Sequence, residues 1–166
     1  MNISAVSFCG QPYNYSAIDK YVSRSAQPEK EDFVWLKEQG ITDVFNFRTM
    51  YVSGLDFDEG KIVKELGMKY HSIPSITSKP NEENIFRFLK EVNEVKARGG
   101  LAHIHCFAGA DRTGMYAFIY KMFNNLGNLA DNKTEWLNFG HHKNKYPELM
   151  GWAEDFIKRT AKPIKF

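Results

Sequence analysis

Residues 101–114 read LAHIHCFAGADRTG. Their pattern is that of a strand, a tight turn and the start of a helix. Leu101 to Cys106 predicts a short strand that leads into a turn containing Gly109. A helix is predicted from Arg112 to Leu126, because apolar residues recur there at helical spacing. Cys106 thus lies where a strand passes to a helix, and ligands of α/β proteins bind at the carboxyl ends of strands.

On both sides of this stretch, strand-like runs alternate with amphipathic helical segments. The pattern predicts further strands over residues 41–47 and 68–73, and further helices over residues 28–39, 58–66, 82–97, 133–140 and 147–158. Such alternation is typical of βαβ crossovers, so we expect an α/β fold: a mostly parallel central sheet of about four to five strands flanked by helices. No repeat or Pro/Gly/Ser-rich linker divides residues 1–166, which indicates a single domain.

The turn after Cys106 suits an anion. A strand, a tight loop and a helix N-terminus together present backbone N–H groups toward one point, and the helix adds a partial positive charge. Gly109 permits backbone angles that are closed to other residues and lets the chain approach an anion closely. The residues expected to bind a tetrahedral oxyanion are Phe107, Ala108, Gly109, Ala110, Asp111 and Arg112.

Cys106 and Arg112, separated by five residues, carry complementary chemistry. Helix N-termini and nearby cations favour the thiolate form of cysteine, so Cys106 is the candidate nucleophile. Arg112 offers a planar fork that grips two phosphate oxygens and the charge that builds on them during transfer. The Thr113 hydroxyl can hydrogen-bond the sulfur and help it depart. Strand alternation turns His105 away from Cys106, so we expect it to support the loop rather than act as a base.

The run His105-Cys106-x5-Arg112-Thr113 resembles the signature of protein tyrosine phosphatases, most closely their small dual-specificity-like branch. Its Asp-Arg-Thr-Gly ending is similar to the corresponding sequence of bacterial tyrosine and lipid phosphatases of that superfamily. The resemblance implies a supporting role for Gly114, the last residue of this ending. Residues 21–28 are similar to the Arg-Ser-x-Gln-Pro opening of many microbial and plant members, and residues 41–48 look like the strand that follows there. The resemblance implies a phosphatase-like catalytic domain that hydrolyses phosphomonoesters through a phosphocysteine, with no metal and no cofactor.

The resemblance also implies a general acid, usually an aspartate from a separate loop before the cysteine. Residues 72–83 occupy that region here and contain no aspartate. Asp111, inside the phosphate loop, is the favoured replacement, although the same carboxylate can instead brace the loop. Glu82 or Glu83 is a second candidate, and both look like first-turn helix residues. The third alternative is that no side chain protonates the leaving group, so that only good leaving groups react.

The loop also bears on the substrate. Phe107, Ala108 and Ala110 carry no charge, and each missing cation forgoes charge-assisted contacts with a polyphosphorylated inositide. This favours phosphotyrosine or dual-specificity protein substrates, or another small phosphomonoester. Two alternatives stay open: a phosphoinositide or inositol-phosphate phosphatase, and a catalytically weak phosphate-binding module.

Composition excludes several classes. The 22 basic and 20 acidic residues leave a formal charge of +2, so the broad positive field of a nucleic-acid binder is absent. No apolar run approaches the roughly 20 residues that span a bilayer. Two cysteines, Cys9 and Cys106, indicate a reduced, cytoplasmic protein rather than a disulfide scaffold, with export as an effector left open. A protective Cys9–Cys106 disulfide is a further hypothesis.

Three further sites have a structural interpretation. His141-His142 is expected to be a solvated helix end, since adjacent histidines point to different faces and no ligand set completes a metal site. Arg48 is expected to form a structural ion pair near a strand end, with a place in the pocket as the alternative. Arg24 is open to both interpretations.

Overall fold

The computed structural model describes residues 10–49 and 55–160. Cys9, and with it the Cys9–Cys106 disulfide hypothesis, lies outside these residues. Along the chain the elements are β1 (Ser16–Ala17), β2 (Val22–Ser25), α1 (Asp32–Glu38), β3 (Asp43–Asn46), α2 (Glu59–Glu65), β4 (Lys69–Ser72), α3 (Glu82–Ala97), β5 (Ala102–His105), α4 (Arg112–Phe123), α5 (Leu129–Asn138) and α6 (Leu149–Thr160).

The five strands form one sheet in the order β1-β2-β5-β3-β4. Strands β2, β5, β3 and β4 run parallel, and only β1 is antiparallel to its neighbour. The predicted α/β fold with a mostly parallel sheet is therefore confirmed. Because β5 lies at the centre, the turn that follows it emerges in the middle of the sheet's carboxyl edge.

Hydrophobic cores cover both faces of the sheet. Neighbouring residues of β3 show this, since Val44 belongs to one core and Phe45 to the other. The smaller core packs α1 and α2 against one face through Phe33, Leu36 and Val63. The larger core packs α3, α4, α5 and α6 against the other face. Buried on both faces, the central strands hold the site on a rigid platform.

Strand β2 is buried although its sequence is Val-Ser-Arg-Ser. Its two serines hydrogen-bond the His103 ring of β5: Ser23 Oγ lies 2.8 Å from Nδ1 and Ser25 Oγ lies 2.7 Å from Nε2. Burial, followed by the charge of His105, lowers the pKa of His103 well below its ordinary value. The ring is therefore neutral and ties β2 to β5 next to the site.

Boundaries differ from the predictions where capping or pairing decides them. Helix α5 begins at Leu129, four residues before the predicted start, because the Asn128 side chain accepts the backbone N–H of Asp131 as an N-cap. Helix α3 spans the predicted residues. No helix in residues 10–49 and 55–160 is long and apolar enough to cross a bilayer.

Candidate active site

A cavity of about 650 Å³ opens at the carboxyl ends of β3 and β5. From the turn after β5 it is lined by Cys106, Phe107, Ala108, Asp111 and Arg112. Segments elsewhere in the chain contribute Arg48, Thr49, Thr77, His142, Lys145 and Tyr146. The predicted nucleophile and the predicted phosphate-binding arginine thus face one space.

The turn is pressed against the end of β2. Gly109 has φ +69°, and a Cβ there would lie 2.5 Å from the backbone nitrogen of Ala26 and 2.6 Å from the carbonyl oxygen of Ser25. The backbone N–H of Gln27 donates to Phe107 O at 2.9 Å. Only glycine fits this conformation and this approach, so the turn is fixed by its own sequence.

Arg112 is the first residue of α4, and Cys106 is buried at the end of β5. Arg112 Nη1 lies near the carbonyl oxygens of Phe47 (3.3 Å) and Ser75 (3.5 Å), which orient the guanidinium. The Thr113 hydroxyl is fully buried and has no hydrogen-bond partner within the described residues. The hydrogen bond from Thr113 to the Cys106 sulfur that the sequence predicts is therefore not formed in this structure, and Thr113 does not line the cavity.

Two supporting residues act behind the turn. His105 does not line the cavity; its Nε2 lies 2.6 Å from Glu59 Oε1 and its Nδ1 lies 3.1 Å from Cys106 O. Burial raises the pKa of Glu59, but His105 and Gln27 more than offset this and hold it below its ordinary value.

At Gly114 a Cβ would lie 2.1 Å from Trp136 Nε1, the atom that donates to Ala110 O at 3.0 Å.

Arg24 braces the turn from β2. Its Nη2 donates to Gly109 O at 2.7 Å, and its guanidinium lies 3.8 Å from the centroid of the Phe139 ring. Burial lowers the pKa of Arg24 to about 10. An arginine in this position holds the loop backbone and adds positive charge behind the cavity.

Asp111 is held by the segment that follows α5. Its Oδ1 accepts from His141 Nδ1 (2.7 Å) and from the backbone N–H of His142 (2.8 Å), and its Oδ2 accepts from His142 Nδ1 (2.8 Å). Burial raises the pKa of Asp111, but the His142 and His141 hydrogen bonds outweigh it and leave the pKa below its ordinary value. A carboxylate held in this way binds a proton poorly, so the geometry favours the bracing interpretation over the general acid.

The histidine pair is not the solvated helix end that was expected. His141 is buried and tilted against Trp136, with ring centroids 4.9 Å apart, whereas His142 is exposed and lines the cavity. The expectation was wrong because a carboxylate far away in the sequence recruits both rings. A histidine pair near Lys145 was the available sequence signal, and nothing local connected it to Asp111.

For Arg48 the structure supports the alternative interpretation, a place in the pocket, over the structural ion pair. Within the described residues it forms no salt bridge; its Nη1 donates to Gln27 Oε1 at 2.7 Å and its guanidinium lies 5.0 Å from the Phe107 ring centroid. Burial and the nearby Arg112 lower the pKa of Arg48. Arg48 therefore adds a second guanidinium to the cavity.

The glutamate candidates lie elsewhere. Glu82 accepts from Arg159 Nη2 at 2.6 Å at the start of α3, and neither Glu82 nor Glu83 lines the cavity. Within the described ranges, no cluster of three or more His, Cys, Asp or Glu side chains could hold a metal ion.

The model of the protein-tyrosine phosphatase family matches residues 14–141, which include β1 through α5 and the whole phosphate loop. The chain belongs to the protein-tyrosine phosphatase family. No curated protein gives a significant sequence match.

Several solved structures share the fold of this chain. A DUF442 protein from Shewanella putrefaciens CN-32 is 23% identical, with TM-score 0.78 over 98% of this chain and 100% of that chain. TpbA of P. aeruginosa in complex with phosphotyrosine is 17% identical, with TM-score 0.70 over 84% and 82%. The catalytic domain of the PP-IP phosphatase SIW14 from S. cerevisiae, in complex with citrate, is 21% identical, with TM-score 0.72 over 92% and 93%.

Proposed function

We propose that this phosphatase hydrolyses phosphomonoesters through a covalent phosphocysteine on Cys106. The supporting observation is that Cys106 and Arg112 line one cavity at the start of α4. The helix dipole and the turn's backbone N–H groups would bind the phosphoryl oxygens, and Arg112 would grip two of them. The whole chain then acts as one catalytic domain, because both cores pack on the sheet that carries the cysteine.

In the first step, the Cys106 thiolate attacks phosphorus as the bond to the leaving oxygen breaks. Charge on the three equatorial oxygens meets donors that are already in place, which is the main source of rate acceleration in phosphoryl transfer. In the second step, water attacks the phosphocysteine and the sulfur departs. The Thr113 hydroxyl, which has no partner among the described residues, would have to turn toward Cys106 to stabilise the departing thiolate.

The test is hydrolysis of 4-nitrophenyl phosphate without added metal, under reducing conditions, by wild type and by Cys106→Ser. We expect wild-type turnover and a loss of at least about 10³-fold in the serine variant, because the hydroxyl is a poor nucleophile at this site. Cys9→Ser, which removes the chain's other thiol, is the matched control and should keep turnover. Phosphate binding without turnover in wild type would instead support the binding module.

Phosphotyrosine on a protein is the substrate that we favour. Phe107 directly follows the nucleophile, is 64% exposed and lines the cavity, so its ring can flank an aryl leaving group. The complex of TpbA with phosphotyrosine is consistent with this choice. A thiolate nucleophile needs a reducing surrounding, which fits a cytoplasmic location.

One observation favours a second substrate class. Three positions of the loop, Phe107, Ala108 and Ala110, carry no charge, but Arg48 and Lys145 bring two cations into the cavity from other segments. These two cations can supply the charge-assisted contacts to a polyphosphorylated inositol that the loop positions lack. A soluble inositol polyphosphate or pyrophosphate is therefore the second candidate, and the PP-IP phosphatase SIW14 shares the fold of this chain.

A further inference from the structure

The proposed reaction requires proton transfer, and none of the residues described so far is placed to carry it out. The leaving oxygen of an alkyl or phenyl ester requires a proton, and the attacking water must lose one. The upstream region holds no aspartate, Glu82 and Glu83 lie away from the cavity, and Asp111 accepts three hydrogen bonds. We propose that His142 is the general acid and base of this enzyme, an inference that rests on the proposed phosphocysteine reaction.

Among the described residues, the His142 ring is anchored through one nitrogen. Its Nδ1 donates to Asp111 Oδ2 at 2.8 Å, and its own backbone N–H donates to Asp111 Oδ1 at 2.8 Å. The two contacts fix the tautomer and the ring position, and no hydrogen bond within residues 10–49 and 55–160 occupies Nε2. The side chain is 57% exposed and lines the same cavity as Cys106 and Arg112. Nε2 is thus available to a leaving group bound there.

The His142 ring faces charges of both signs. Asp111 lies against it, and the dianionic phosphate of a bound substrate would share its cavity. Arg48, Arg112 and Lys145 line the cavity as opposing cations, and His141 shares the Asp111 carboxylate. Cys106 and Tyr146 complete the titratable groups that line this space. Histidine is the side chain whose ordinary titration lies near neutral pH, which suits a group that must give and then take a proton.

The two steps balance on this assignment. As the bond from Cys106 Sγ to phosphorus forms and the bond from phosphorus to the ester oxygen breaks, His142 Nε2 gives its proton to that oxygen, and an alcohol leaves. Neutral His142 then takes a proton from water as the water oxygen bonds to phosphorus and the sulfur–phosphorus bond breaks. Inorganic phosphate leaves, and the Cys106 thiolate and the His142 imidazolium are restored.

Asp111 is a positioning residue in this scheme. It orients the ring, while His141 fixes the other carboxylate oxygen from the buried side. Asp111 therefore positions His142, and His142 transfers the proton.

Two substitutions separate proton transfer from bracing. His142→Asn keeps an N–H near the position of Nδ1, so the contact with Asp111 can persist, but it has no proton to transfer. His142→Gln places an amide near the position of Nε2, which can hydrogen-bond a leaving oxygen without protonating it. Thermal unfolding and inhibition by vanadate, compared with wild type, report whether the fold and the phosphate loop are intact.

The measurement is kcat/KM and its pH profile for a series of aryl phosphates, from 4-nitrophenyl to phenyl phosphate. We expect both variants to lose about 10²-fold or more on phenyl phosphate but less than about tenfold on 4-nitrophenyl phosphate, which needs little protonation. The fall of wild-type kcat/KM on the basic side should be deepest for phenyl phosphate and should disappear for that ester in both variants.

Equal losses along the series, or an unchanged basic limb, would overturn the role of His142 and leave the phosphocysteine proposal standing. Wild-type protein without turnover on any ester of the series would overturn both. The two failures are thus distinguished in one data set.

Discussion

At the scale of single residues, Gly109 is the position where one methyl group should matter most. A Cβ would meet the backbone of Ala26 and Ser25 at 2.5–2.6 Å, in a left-handed conformation with φ +69°. Backbone cannot move aside as a flexible side chain can, so Gly109→Ala should shift the phosphate loop. We expect at least about a tenfold loss of phosphate affinity and a loss of about 1–3 kcal/mol in the free energy of unfolding.

Gly99→Ala is the control for this prediction. Gly99 has φ +76°, but nothing lies within 4 Å of its Cβ position, and it lies outside the cavity lining. Its alanine variant should cost about 1–2 kcal/mol from the backbone conformation alone and leave kcat/KM unchanged. Urea unfolding and phosphate titration measure both effects. Equal stability losses with unchanged phosphate affinity in Gly109→Ala would contradict the proposed contact.

The site residues that can be predicted from the sequence are those that lie together in one short segment. Cys106 and Arg112 lie on a single strand, turn and helix start, so their spacing alone predicts a common target. Arg48 and His142 reach the cavity from other segments, after β3 and after α5. Tertiary packing brings both into the cavity: the sequence offers a pocket role for Arg48 only as an alternative, and nothing local connects the His141-His142 pair to Asp111.

At the scale of elements, the β2–β5 pair rests on a neutral buried histidine. His103 is held between Ser23 and Ser25, and burial keeps its pKa well below that of an exposed histidine. In the unfolded chain the same ring takes up a proton near pH 6.5. The folded state does not, so His103 contributes stability that is lost as pH falls below about 6.5, by about 1.4 kcal/mol per pH unit.

Comparison of wild type with His103→Gln isolates this effect. The difference in the free energy of unfolding between the two proteins should shrink as pH falls from 7.5 to 5.5, as measured by urea unfolding at each pH. The ring resonances of His103 in NMR spectra should meanwhile show no protonation over that range. A ring that titrates near pH 6.5 in the folded protein would disprove the prediction, whether or not the variant folds.

Sequence predicted the elements whose burial follows an apolar pattern. The unbroken apolar stripe of helix α3 predicts its bounds, and the structure adds the Asn81 side chain as the cap of its start. Strand β2 was not placed as a strand, because Ser23, Arg24 and Ser25 look solvent-facing. Their burial depends on His103 and on Gly109, partners roughly 80 residues away, and no local pattern encodes such pairing.

At the scale of the whole molecule, net charge conceals a local field. The chain carries a formal charge of only +2, yet three cations, Arg48, Arg112 and Lys145, line the cavity. Among the described lining residues the one carboxylate is Asp111, which is hydrogen-bonded to two histidines. A concave site with low-dielectric walls concentrates such a field. The balance between phosphotyrosine and inositol polyphosphates should therefore depend on these cations rather than on the overall composition.

Lys145→Gln tests that dependence, with Lys143→Gln as its matched control. Both lysines are exposed, and the two changes alter net charge equally, but only Lys145 lines the cavity. If an inositol polyphosphate is a substrate, Lys145→Gln should lower its kcat/KM by about 10-fold or more, since one charge-assisted contact is lost, and change that of a phosphotyrosine peptide by less than about threefold. Phosphate release at constant ionic strength measures both. Equal effects on the two substrates, or an equal effect of Lys143→Gln, would favour the phosphotyrosine peptide as the substrate. Lys145 would then recognise nothing beyond the transferred phosphoryl group.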